Sequence, residues 1–151
     1  IQDLSVRYEA DKTDPRLLRS YADVLKNYLN SGFIDDRTLR KHRFTYVEVL
    51  DRLIELQPDD PNDYIAKIDA EIALQQPGEA EKTAKRFLQA LPHHEEAYLM
   101  LLKVYYVRRS IDQVRATIQM LTESPIRLSN RGLSIVRYWL EVGADGSETK
   151  V

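Results

Sequence analysis

Apolar residues recur at spacings of three and four over most of this chain. Leu17, Leu18, Tyr21, Val24, Leu25, Tyr28 and Leu29 form one such stripe, the spacing that gives a helix one apolar face. Asp14-Pro15 stands before it: Asp caps, and Pro takes the first helical position, where no donor is lost. Gly32 ends it. A second helix is predicted from about Asp36 to Gln57. It carries Leu39, Phe44, Tyr46, Val47, Val49, Leu50, Leu53, Ile54 and Leu56, and Pro58 and Pro61 stop it. Asp60-Pro61 starts a third helix with the same cap chemistry, followed by Tyr64, Ile65, Ile68, Ile72 and Leu74. Pro77-Gly78 reads as a turn. Ala80, Ala84, Phe87, Leu88 and Leu91 make the next stripe, ended by Pro92. Tyr98, Leu101, Leu102, Tyr105 and Tyr106 make another. Ser110-Ile111-Asp112-Gln113 has the capping-box pattern. Val114, Ile118 and Leu121 follow it, and Pro125 stops that helix. A last helix is expected from about Asn130 to Val142. No segment alternates with period two for long, so no strand is expected.

These stripes repeat. Pro58 and Pro92 lie 34 residues apart, as do Tyr64 and Tyr98, Ala80 and Val114, Ala84 and Ile118, and Phe87 and Leu121. Two helices per 34-residue period resembles the tetratricopeptide repeat (TPR) family. Units starting at Leu18, Pro61, Glu95 and Ser129 place Tyr21, Tyr64 and Tyr98 at the family's first aromatic position. Tyr28, Tyr105 and Trp139 fall at its second-turn aromatic position. The chain departs from the pattern at Lys67, where a large apolar residue is usual. It departs again at Leu25, Ile68, Leu102 and Val136, where a small residue is usual. The first unit needs about nine extra residues, as an extended second helix or a longer turn around Phe33–Arg43.

The resemblance covers about Leu18–Val142. It implies an all-α fold: a right-handed superhelical stack of antiparallel helix hairpins, about three and a half units long. On this reading residues 1–14 are an N-terminal extension, 15–142 the repeat domain and 143–151 a flexible tail. The resemblance also implies a concave groove lined by the first helix of each unit, used to bind a peptide or helix of a partner protein. The family's groove positions fall on Ile65, Asp69, Ile72, Leu99, Met100, Lys103, Tyr106, Val107, Leu133, Arg137 and Leu140. The first unit contributes Arg19, Ala22, Asp23, Lys26, Leu29 and Asn30. The expected groove is a largely apolar strip rimmed by Lys26, Asp69, Lys103 and Arg137, and such a strip marks an interaction surface. A partner could cover it; so could residues 1–14, the tail or a second copy, and self-association as a scaffold is the alternative reading. Family members that clamp the carboxylate end of chaperones need Lys, Asn and Arg at set positions. Here Ala22, Lys26, Ala66, Glu96 and Met100 stand there, so that role is not expected.

Composition narrows the function classes. With 43% hydrophobic and 30% charged residues in 151, the chain is neither a disordered tail nor a membrane protein. It opens on Ile1, which reads as processing or excision from a longer protein, and no compartment is assigned. Cys is absent, which excludes a disulfide scaffold, a thiol nucleophile and a Cys-bound zinc. A net charge of −2 supplies no global field toward nucleic acid or membrane. Arg37, Arg40, Lys41 and Arg43 form the densest basic cluster. They are a possible secondary contact for phosphates or an acidic partner, although a solvated helix face is the plainer reading. No nucleic-acid binding is expected. His93-His94-Glu95-Glu96 looks like metal ligands, but consecutive residues at a helix start do not converge on one point, so no metal or other cofactor is expected. No phosphate loop, nucleophile elbow or zinc helix is present, and the expected chain is non-catalytic.

Overall fold

The structure, a computed structural model, describes residues 1–145, with side chains through Glu141. Those residues form helices and no strand. The elements are α1 (Gln2–Ala10), α2 (Pro15–Leu29), α3 (Asp36–Leu56), α4 (Pro61–Ala73), α5 (Pro77–Ala90), α6 (Glu95–Val107), α7 (Ile111–Glu123) and α8 (Asn130–Asp145). The chain divides into two compact units, Ile1–Gln76 and Pro77–Val151. In the first, α1 packs on α2, α2 on α3 and α3 on α4. In the second, α5 packs on α6, α6 on α7 and α7 on α8, and α8 also returns to α6.

The helix starts follow the cap chemistry. Asp14 accepts from the Arg16 amide at 3.0 Å, Asp35 from that of Thr38 at 2.9 Å, and Asp60 from that of Asn62 at 3.0 Å. At α6 the cap is His94, whose Nδ1 lies 3.3 Å from the Glu96 amide. Local expectations fail in four places. Pro77-Gly78 is no turn; Pro77 opens α5, because Gln75 has already reversed the chain with φ 60°. The Ser110 hydroxyl donates to Gln113 Oε1 at 2.6 Å and makes no cap bond to a backbone amide. Helix α8 runs through Gly143 to Asp145, three residues past its expected end; the rest of the expected tail, 146–151, lies outside the described residues. Residues 1–14 contain a helix, α1, that the periodicity did not predict.

The core of the first unit joins Leu18, Tyr21, Ala22 and Leu25 of α2 to Tyr46, Val49, Leu50 and Leu53 of α3, with Tyr8 from α1 and Ala70 from α4. Leu18, Leu25 and Leu53 are fully buried, each stabilising the fold by about 1.5–3 kcal/mol relative to exposure. The extra residues of this region lie mostly in a helix, α3 having 21 residues against 14 in α5 and 13 in α7, and partly in the turn before it, residues 30–35, which is longer than those at 74–76 and 108–110. In the second unit Ala80, Ala84, Phe87, Tyr98, Leu101, Leu102, Val114, Ile118 and Leu121 are buried.

Period 34 recurs in the backbone. Helices α4 and α6 each have 13 residues and begin at Pro61 and Glu95; α5 and α7 begin at Pro77 and Ile111. The joints after α4 and α6 match bond for bond. The Gln76 amide donates to Glu71 O and that of Gln75 to Ile72 O, both at 2.9 Å. Ser110 donates to Tyr105 O and Arg109 to Tyr106 O, also at 2.9 Å. This is the paired closure of a Schellman motif, with its left-handed residue just past the helix. Here that residue is Gln75 (φ 60°) or Arg109 (φ 56°), not glycine.

Candidate functional site

In the first unit α2, α3 and α4 enclose an open cleft of about 730 Å³. Helix α2 supplies Arg19, Ala22, Asp23, Lys26 and Leu29, and its C-cap Asn30 adds to them. Helix α4 supplies Asn62, Asp63, Ile65, Ala66, Asp69, Ala70 and Ala73, and Asp60 lies at its mouth. Arg43, Tyr46 and Leu50 of α3 complete the lining. Ile72 is not among these residues. Helix α1 contributes none either; it borders a separate hollow of about 440 Å³ against the first turns of α2.

The cleft is more charged than the expected apolar strip. Arg19 bridges α2 to α4, its Nη1 and Nη2 donating to the two carboxylate oxygens of buried Asp63 at 2.6 and 2.8 Å. Asp60 stands 3.7 Å from the same guanidinium. A bidentate, charge-assisted pair is among the stronger polar contacts, and the Asp63 hydrogen bond raises Arg19 above its ordinary pKa. Burial pushes the Tyr46 phenol up, and Asp63 and Asp23 push it further in the same direction. Lys67, the departure from the apolar pattern, is buried. Its Nζ lies 3.4 Å from buried Glu71 and 3.5 Å from Asp51 of α3. Where the pattern calls for an apolar side chain, this chain buries a compensated charge.

In the second unit the expected groove residues separate into two groups. Leu99 and Met100 are 5% exposed each; they are core side chains and offer no open surface. Tyr106, Val107, Leu133 and Leu140 are exposed, at 42–53%, and so are Lys103 and Arg137. Tyr106 meets Trp139 with ring centroids 4.8 Å apart, and Tyr138 meets the same indole at 5.1 Å, so aromatic rings join α6 to α8. Three residues of the His93–Glu96 run have local partners. His94 caps α6, Glu95 accepts from the Ser129 amide and hydroxyl at 2.8 and 2.9 Å, and Glu96 pairs with Arg131.

The basic cluster also divides. Arg37, Arg40 and Lys41 are exposed, whereas Arg43 is half-buried and turns into the cleft. Sequence reasoning missed Tyr46 and Leu50 as cleft residues. Their spacing of three and seven from Arg43 puts all three on one side of α3, a signal available once α3 is asked which face it turns to α2. Among the described residues no helix is long and apolar enough to cross a membrane. No protein-family model matches the chain, and no curated protein matches it significantly.

Proposed function

We propose that this chain is a non-catalytic, TPR-like interaction module that docks a segment of a partner protein along the first helices of its repeats. Recurrence of element starts and joints at 34 residues supports the repeat reading. The observation that carries the functional reading is the cleft of the first unit. Its walls are α2 and α4, the first helices of their repeats, and an open trough of about 730 Å³ admits an extended or helical segment. Carboxylates and cations along its walls select a partner by charge pattern, and unfavourable pairings reject others. The exposed Tyr106, Val107, Leu133 and Leu140 offer the second unit an apolar contact of its own.

The test is affinity capture with paired surface variants. Lys26→Glu reverses an exposed charge in the cleft, and Tyr106→Asp places a charge on the apolar surface. Both should keep the wild-type melting temperature and helical circular dichroism while losing a discrete partner that the wild type retains. Full retention of every captured protein by both variants would reject the reading. A second reading, self-association into a scaffold, is favoured by the same exposed apolar residues of α6 and α8.

A further inference from the structure

Phe33 is 97% exposed, the most exposed large apolar side chain among the described residues. It is not on a loose end. The Asn30 amide donates to Lys26 O and that of Ser31 to Tyr28 O, both at 3.1 Å. Gly32 then takes φ +79°, a conformation a side chain rarely adopts, and Asp35 caps α3 two residues after Phe33. The ring is therefore held out at the tip of a short, tied turn. A turn whose backbone is already tied loses little further backbone freedom on binding, and aromatic side chains are enriched at the centres of protein interfaces.

The first turns of α3 follow Phe33 in the chain. Arg37, Arg40, Lys41 and Phe44 recur at three and four residues and share one solvent-facing side. Phe44 is 41% exposed, and the Arg40 guanidinium sits 5.2 Å from its ring centroid. None of the three cations forms an ion pair among the described residues. None of them, nor Phe44, lines the cleft, so this surface is separate from the one above.

We propose that Phe33, Phe44 and the Arg37–Arg40–Lys41 face form a second docking surface, and that its occupant is an acidic amphipathic segment of a partner protein. The charge layout selects that partner class. Asp35 and Asp36 are exposed beside the tip. The bonds from Thr38 hold the Asp35 carboxyl below its ordinary range, so it stays ionised. A lipid surface or a nucleic acid carries negative charge throughout and would meet these carboxylates together with the cations. A protein segment can set its own carboxylates over Arg37, Arg40 and Lys41 and an apolar pocket or stripe over Phe33.

The probe is a fluorescein-labelled synthetic helix with Glu at every fourth position beside a Leu stripe, read by fluorescence anisotropy at low salt. The wild type should bind it, and added salt should weaken binding. Phe33→Ser and Arg40→Glu should each weaken it about tenfold. Arg16→Glu, the same charge change at the far end of α2, should leave it unaltered. Circular dichroism confirms that each variant is folded. Absence of peptide binding, or binding indifferent to Phe33→Ser, overturns the proposal. So does Phe33-dependent retention by vesicles of equal parts phosphatidylcholine and phosphatidylserine, or by a labelled oligouridylate, either of which assigns the surface to another class of partner.

Discussion

At the scale of single residues, Gly132 shows how closely two helices can be tied. A Cβ added there would collide with Glu95 Oε1, the oxygen that accepts both bonds from Ser129. Gly132→Ala must therefore push the carboxylate off Ser129. Hydrogen bonds to a charged group contribute about 1.5–3 kcal/mol, while Ala in place of Gly returns about 1 kcal/mol of helix propensity. The expected net loss is about 1 kcal/mol in urea unfolding. With Glu95→Ala already in place the steric conflict is gone, and the same substitution should stabilise. Equal signs in the two backgrounds would show that Glu95 is not what holds the position open. Little of this was legible beforehand: the register sets Gly132 where the other units have Tyr21, Tyr64 and Tyr98, but the carboxylate that fills the space is known only once α8 is placed beside the start of α6. Lys67 was legible in part, since the resemblance sets it at a usually apolar position. Its i,i+4 partner Glu71 stands in the sequence, but the burial that turns a surface pair into a core pair depends on α3, with Asp51, lying across it.

At the scale of elements, α1 depends on its neighbours. Nine residues are too few for a helix to hold alone in water, and only Tyr8 of α1 is buried, at 1% exposure. Tyr8 packs 5.3 Å from the Tyr21 ring, and its hydroxyl accepts from Arg52 Nε at 3.2 Å. Lys12, just past the helix, reaches Glu48 of α3 at 3.3 Å. Tyr8→Ala should therefore undock α1 as a unit. Its cost should stop near 3 kcal/mol, because loss of α1 relieves whatever strain remains. Native-state hydrogen exchange should show α1 amides losing protection while those of α3 and α4 keep theirs. Simultaneous loss in α3 would mean that α1 is part of the cooperative core. Longer helices announced themselves because their stripes are dense, as at Leu18, Tyr21, Leu25 and Leu29. Helix α1 offers only Leu4 and Tyr8 on its packed side, with Val6 exposed, too sparse a stripe for periodicity to detect. The cleft was legible in α2 and α4 through the repeat register. Its α3 wall was not, and its charged character depends on Asp60 and Asp63 meeting Arg19 across the gap.

At the scale of the whole molecule, charge is unevenly spread. Residues 59–96 carry nine acids and four bases, and residues 97–142 carry three acids and seven bases. If opposite segments of different copies attracted each other strongly, assembly would follow ionic strength. Sedimentation at low and physiological salt separates the two functional readings. The docking-module reading expects a monomer in both. A dimer that dissolves as salt rises would favour self-association through charge, and a salt-insensitive dimer would favour association through the apolar surface of α6 and α8. The matched joints carry a different consequence. Gln75 and Arg109 close their helices with the same bonds at the same left-handed angle, so the segment Gln76–Arg109 starts and finishes on interchangeable couplings. Under the proposed repeat reading it is a cassette in the gene-engineering sense. On that reading a tandem copy spliced in after Arg109 would close on a turn that the chain already makes twice, and the length of this protein becomes a design variable.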